Sequence, residues 1–148
     1  MARSWGGKLV HKQSRTGNSG HFYIDRDGNT EEWVPINRVA HHVRGHNLES
    51  IGVELVNIGR YPNWFHSQHQ SMTESYSDAQ IRALVLLLNY LVDQLPGLQL
   101  IAGHEQLDQD RIPADDNPEI LIRRKLDPGP QFPWKTVLSE VPLRLASP

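Results

Sequence analysis

Three features of the sequence carry the side chains that acid–base and metal chemistry use. Glu54 lies inside a run of alternating apolar residues, His104 directly follows a short apolar run, and Lys125-Leu126-Asp127 is followed by Pro128 and Gly129. Each alone is ordinary: a mid-strand carboxylate is often salt-bridged, a histidine past a strand is more often structural than a ligand, and Lys-x-Asp is commonly a surface pair. Together they offer an imidazole, two carboxylates and an ammonium. The chain has no cysteine, which excludes disulfides and thiolate catalysis. Any transition-metal site must then be built from His, Asp, Glu and water, and the eight histidines make one feasible.

The elements that must hold these residues follow from pattern. Ser50-Ile51-Gly52-Val53-Glu54-Leu55-Val56-Asn57 puts Ile51, Val53 and Leu55 on one face and Gly52, Glu54 and Val56 on the other, as a strand does. Residues 98–102 form a short apolar run, expected to be a buried strand that delivers Gly103-His104 at its carboxyl end, where open α/β sheets place functional groups. His21-Phe22-Tyr23-Ile24, the Asp27-Gly28 step and residues 31–34 read as a hairpin. Ser77 and Gln80 have capping-box spacing, and Ile81, Leu84, Val85, Leu88, Leu91, Val92 and Leu95 follow at helical intervals until Pro96-Gly97. A final helix is expected at 134–140. Residues 1–17 read as irregular with a short strand at 8–10, 105–124 as an Asp- and Pro-rich connection, and 141–148 as an irregular tail. At 148 residues, with no internal repeat, the expectation is one mixed α/β domain.

Composition narrows the partners. A formal charge of -2 argues against a general nucleic-acid binder. The longest apolar stretch, 81–95, is interrupted by Arg82, Asn89 and Asp93 and is too short and polar to span a bilayer. Residues 1–5 carry an arginine but no following apolar core, so no secretory signal is read, and a monomer in the cytoplasm is the expectation.

Asn18-Ser19-Gly20-His21-Phe22-Tyr23-Ile24-Asp25-Arg26-Asp27-Gly28 resembles the second strand and turn of the N-acetylmuramoyl-L-alanine amidase family. That family includes phage lysozyme-type amidases, cytoplasmic anhydro-muropeptide amidases and peptidoglycan recognition proteins. Three further blocks follow in family order: Val39-Ala40-His41-His42 with Asn47 and residues 50–57, then Ala102-Gly103-His104-Glu105, then residues 124–134 around Lys125-Leu126-Asp127-Pro128-Gly129. The resemblance covers residues 18 to 134 and implies a central mixed sheet flanked by helices. It also implies hydrolysis of the amide between N-acetylmuramic acid and L-alanine in peptidoglycan or muropeptides. Zn2+ is the implied cofactor, with His104 and Asp127 as ligands, Glu54 as general base, Lys125 stabilising the oxyanion, and His42 and Asn47 toward substrate.

One part of the family pattern is missing. The family's first zinc ligand is a histidine at the end of an apolar strand upstream of the Ser-Gly-His block, and no such strand precedes residue 18. Ala2-Arg3-Ser4-Trp5 resembles the start of the helix that follows that histidine, so the chain reads as N-terminally incomplete. His11 is the early histidine able to replace the ligand, with His21 and His42 as further candidates, although His21 reads better as a packed strand residue. Two protein ligands would bind zinc weakly. The alternatives to the enzyme are a non-catalytic peptidoglycan-binding module, a truncated inactive amidase, and a non-functional fragment with an exposed sheet edge. Elsewhere, Trp64 and Phe65 read as anchors of the 58–75 connection rather than as a glycan platform. Asp108, Asp110, Asp115 and Asp116 read as a solvated, cap-forming loop rather than a calcium site.

Overall fold

Asp25 organises the first turn. Its Oδ1 accepts from the amides of Asp27 and Asn29, each at 2.9 Å, and its Oδ2 accepts from Asn29 Nδ2 at 2.8 Å. Gly28 has φ +84°, and a β-carbon there would stand 2.6 Å from the Ala79 carbonyl oxygen. Both facts demand glycine. The turn joins β2 (Phe22–Ile24) to β3 (Thr30–Glu32), the expected hairpin, with Phe22 opposite Glu32 and Ile24 opposite Thr30.

The computed structural model describes residues 3–4, by backbone alone, and 19–147. The strand expected at 8–10, and His11, lie outside the described residues. The chain divides into two units, Met1–Val56 with Ser77–Gln94, and Asn57–Tyr76 with Leu95–Pro148.

The first unit is a mixed sheet with one helix. β1 (Arg3–Ser4), where irregular chain was expected, pairs antiparallel with β3, and β4 (Val53–Leu55) runs parallel to β2 with Glu54 opposite Tyr23. Strand order is β1-β3-β2-β4. Helix α1 (Asp78–Gln94) lies against β2 and buries Leu84, Val85, Leu87, Leu88 and Leu91, while Leu86 faces out at 73% exposure. The capping box forms: Ser77 Oγ accepts from the Gln80 amide and Gln80 Oε1 from the Ser77 amide, both at 3.1 Å.

In the second unit β5 (Leu100–Ile101) pairs in parallel with β8 (Arg144–Leu145), so the tail expected to be irregular contains a strand. Nor is β5 buried, since Leu100 is 53% exposed. Helix α2 (His104–Leu107) follows directly. The connection read as irregular contains an antiparallel hairpin, β6 (Arg111–Pro113) with β7 (Leu121–Arg123), in which Ile112 faces the buried Ile122. Helix α3 (Trp134–Glu140) has the expected bounds. Met72, Ala114, Ile122, Phe132, Val137, Val141 and Leu143 are the buried apolar residues of this unit. No helix among the described residues is long and apolar enough to cross a membrane.

Candidate active site

The second unit brings His104 and Asp127 together, 23 positions apart in sequence. Backbone contacts do most of this. The Glu105 amide donates to the Asp127 carbonyl at 2.9 Å, and the Gly103 amide donates to Gln106 Oε1 at 2.8 Å, fixing the start of α2. Around the Asp127-Pro128-Gly129 turn, Tyr76 donates its hydroxyl to the Pro128 carbonyl at 2.8 Å, and Gly129, at φ +79°, leaves the room that Met72 fills. Phe132 stands edge-on to Tyr76 at 5.4 Å and to Trp134 at 4.6 Å, closing the underside.

The resulting pair has His104 Nδ1 3.1 Å from Asp127 Oδ2, while His104 Nε2 is 4.0 Å from Asp108 Oδ2. The Asp127 carboxyl is held below the usual carboxylate range. Burial opposes the charge, but the hydrogen bond and charge of His104, its own backbone amide and the Lys125 ammonium outweigh burial. Next door, burial and the Asp127 charge push Glu105 up, against the pull of Arg123.

The donor chemistry suits a cation. Asp127 Oδ1 is buried without a hydrogen-bond partner among the described residues, a costly arrangement unless something positive meets it. Imidazole nitrogen and carboxylate oxygen are zinc ligands, and two ligands of a tetrahedral zinc stand about 3.3 Å apart, close to the observed pair. His104 and Asp127 therefore fit as two ligands. Among the described residues no group of three His, Cys, Asp or Glu side chains is arranged to hold an ion.

The other sequence candidates in the second unit are Lys125, half-buried two residues before Asp127, and the aromatic connection. Trp64 donates its Nε1 hydrogen to the Ile58 carbonyl at 3.1 Å and covers Gly59, where a β-carbon would meet Trp64 Cζ2 at 2.4 Å. These contacts lie within the 58–75 connection itself, and Trp64 is 39% exposed.

Glu54, His42 and Asn47 belong to the first unit. Glu54 is half-buried on β4, and its side chain packs where Gly20 has none: a β-carbon at position 20 would stand 2.7 Å from Glu54 Cγ. Burial raises the Tyr23 phenol, and the Glu54 charge adds to this. His42 Nε2 lies 2.8 Å from Ser50 Oγ, whose own hydrogen goes to the His46 carbonyl at 2.6 Å, so the serine oxygen accepts from the imidazole. Asn47 Oδ1 accepts from the amides of His42 and Val43, at 3.0 and 2.8 Å, and so shapes the loop that presents His42. His21 is buried and packed as expected, but it stands just before β2 rather than in it. Its Nδ1 accepts from the Gly52 amide at 3.0 Å, so Nε2 carries the proton and donates to the Arg38 carbonyl at 2.9 Å. Neither nitrogen is left for a metal.

The sequence profile described as N-acetylmuramoyl-L-alanine amidase matches residues 3–130. The chain belongs to that amidase family. It is similar to 1,6-anhydro-N-acetylmuramyl-L-alanine amidase AmpD of Citrobacter freundii, 28% identical over 125 residues, which are 78% of this chain and 53% of that protein. AmpD of Enterobacter cloacae is 30% identical over 120 residues, 75% of this chain and 50% of the relative. The chain thus spans about half the length of the curated relatives it matches. Among solved structures, N-acetylmuramoyl-L-alanine amidase LysC from Clostridium intestinale URNW superposes with a TM-score of 0.58 at 22% identity, covering 84% of this chain and 65% of LysC. A crystal structure of a selenomethionine AmpD derivative gives 0.56 at 26% identity, covering 84% and 60%. The amidase fold is therefore that of this mixed α/β chain.

Three buried polar side chains of this amidase-family chain make bonds that the sequence pattern does not foretell. Asp108, expected to be solvated, is 4% exposed and paired with the Arg124 guanidinium. Arg60 is 1% exposed. Gln80, read as a capping residue, is fully buried and also donates to the Val56 carbonyl at 2.8 Å while accepting from Arg26 at 3.1 Å. The spacing of four between His104 and Asp108 and of three between Ser77 and Gln80 is visible in the sequence, but neither marks burial.

Proposed function

We propose that this chain is a zinc-dependent hydrolase of the amide between N-acetylmuramic acid and L-alanine, acting on peptidoglycan or soluble muropeptides. Family membership supports the reading, and one local observation carries it: the His104–Asp127 pair, with a buried Asp127 oxygen that lacks a donor among the described residues. His104 and Asp127 would hold the zinc, with His11 as the sequence's candidate for a third ligand. Bound zinc lowers the pKa of a water and polarises a carbonyl. Glu54 takes the proton of the attacking water and returns it to the leaving amine. Lys125 stabilises the charge that develops on the carbonyl oxygen, and His42 and Asn47 contact the substrate. The AmpD relatives are named for a 1,6-anhydro-muramyl substrate, which makes that muropeptide the first to try.

The test is incubation with a defined muropeptide and zinc, followed by mass spectrometry for the peptide freed at its L-alanine amine. Release that stops with chelator and returns with zinc is expected. A second reading, a peptidoglycan-binding module without hydrolysis, is favoured by the absence of a three-ligand group among the described residues. Binding of the muropeptide with no peptide released would establish it.

A further inference from the structure

A buried guanidinium needs acceptors for its donors, and those of Arg60 are placed to a pattern. Nη1 donates to Gln70 Oε1 at 2.8 Å and to the Arg123 carbonyl at 2.7 Å, and Nη2 donates to the Arg124 carbonyl at 2.8 Å. Trp64 and Phe65 cover the guanidinium, with ring centroids 5.7 and 5.6 Å from Cζ. The two carbonyls it grips are consecutive and immediately precede Lys125-Leu126-Asp127.

From the same two residues, side chains reach the segment that carries His104. The Arg123 guanidinium donates to the carbonyl of Glu105, within the helix that His104 begins, and to that of Asp108, just past its end. Arg124 pairs with the Asp108 carboxylate, and its amide donates to the Asp110 carbonyl at 2.9 Å. One buried cation thus fixes the main chain from which Asp127 follows in sequence and from which Arg123 and Arg124 hold the His104 helix. A residue that merely filled space would need no such bonds to consecutive carbonyls.

We infer that Arg60 is a positioning residue for the His104–Asp127 pair, acting through the backbone of Arg123 and Arg124; as a metal-site device it rests on the reading above. Lysine cannot replace it. An ammonium keeps the charge but lacks the planar fork that spans two carbonyls and Gln70.

The experiment compares wild type, Arg60→Lys and Ser67→Ala. Ser67 lies in the same connection and donates its hydroxyl to Asp116 at 2.7 Å, so its loss loosens that segment without touching Arg60. Two readouts are used on protein shown to be folded by circular dichroism: zinc affinity by competition with a chromophoric chelator, and the imidazole 15N signals of His104 in the metal-free protein. Arg60→Lys is expected to weaken zinc binding about tenfold or more, the range seen for groups that orient ligands, and to shift the His104 signals. Ser67→Ala should do neither. Unchanged His104 signals in Arg60→Lys, or equal losses in Ser67→Ala, overturn the proposal. If wild type binds no zinc, the metal-site reading fails on its own, and the positioning role is still decided by the His104 signals. Should Arg60→Lys fail to fold, Gln70→Ala removes one acceptor and must shift those signals in part; no shift overturns the proposal.

Discussion

A β-carbon on Gly103 would stand 2.6 Å from Pro128 Cδ and 3.3 Å from Trp134 Cζ2. The segments that carry His104 and Asp127 approach as they do because residue 103 has no side chain. Gly103→Ala must push against a proline ring, which cannot swing aside, and overpacking of this kind costs about 1–3 kcal/mol. The expected outcome is a folded but destabilised protein in urea unfolding, with weaker zinc binding in calorimetry than wild type. A stable variant with unchanged zinc affinity would show that the close approach does not set the pair.

His21 predicts a pH dependence of stability. Burial lowers its pKa from 6.5, against the Arg38 carbonyl and the Glu32 charge, and the Gly52 amide fixes the neutral tautomer. The folded value lies below the unfolded one, so between the two the unfolded chain binds more protons. The contribution of His21 is therefore complete above about pH 6.5 and declines as pH falls through that window towards the folded value. Urea unfolding from pH 7.5 down to 5 should show this decline in wild type and a shallower one in His21→Gln. Parallel pH profiles for the two proteins would contradict it.

Gln80 occupies the junction of α1, β2 and β4, donating to the Val56 carbonyl and accepting from Arg26 and the Ser77 amide. Leucine in its place fits the volume but strands the Val56 carbonyl and the Ser77 amide. At about 1–3 kcal/mol for each buried group left without a partner, Gln80→Leu should cost about 2 kcal/mol or more. Chemical denaturation measures it, and a loss below about 0.5 kcal/mol would mean that solvent replaces these bonds.

What could be read from sequence divides along physical lines. Helix α1 is legible because Ser77 and Gln80 announce its start and its leucines repeat at helical spacing. The first hairpin is legible because Gly28 follows Asp27 between β-rich runs. β8 is not, since Arg144 and Leu145 are both exposed and its parallel partner lies more than forty positions away. The β6–β7 hairpin hides for a similar reason: of its six residues only Ile122 is buried, and Pro113 argues against a strand. In the candidate site, His104 and Asp127 stand out through the apolar run and the Pro-Gly turn beside them. Arg60 and Asp108 do not, because a charge buried on distant carbonyls, or against a distant arginine, leaves no mark on its own neighbours in sequence.

Asp108 and Arg124 give a direct check of that hidden charge pair. With Asp108 buried and Arg124 mostly so, removing one partner leaves the other without compensation, at about 3–5 kcal/mol for a fully buried pair. Asp108→Ala should therefore unfold at clearly lower urea than wild type, whereas Asp110→Ala, at an exposed carboxylate 3.9 Å from Arg124 Nε, should lie within about 1 kcal/mol. Equal effects from the two variants would place the stabilising charge elsewhere.

The roles proposed for Glu54 and Lys125 separate chemistry from metal binding. Neither is among the zinc ligands assigned, so Glu54→Ala and Lys125→Ala should each lower kcat/KM for muropeptide hydrolysis by more than tenfold, above about 1.4 kcal/mol of transition-state stabilisation. Zinc affinity should not fall in either. Glu54→Ala should leave it unchanged, and Lys125→Ala should leave it unchanged or raise it, because Asp127, held below the usual carboxylate range, is ionised at neutral pH and an ammonium repels a second cation. The check is steady-state kinetics with a defined muropeptide at saturating zinc, set beside calorimetric zinc titration of the same variants. Full turnover in both variants would remove the mechanism. A loss in Glu54→Ala that tracked zinc occupancy would turn that carboxylate from a base into a ligand.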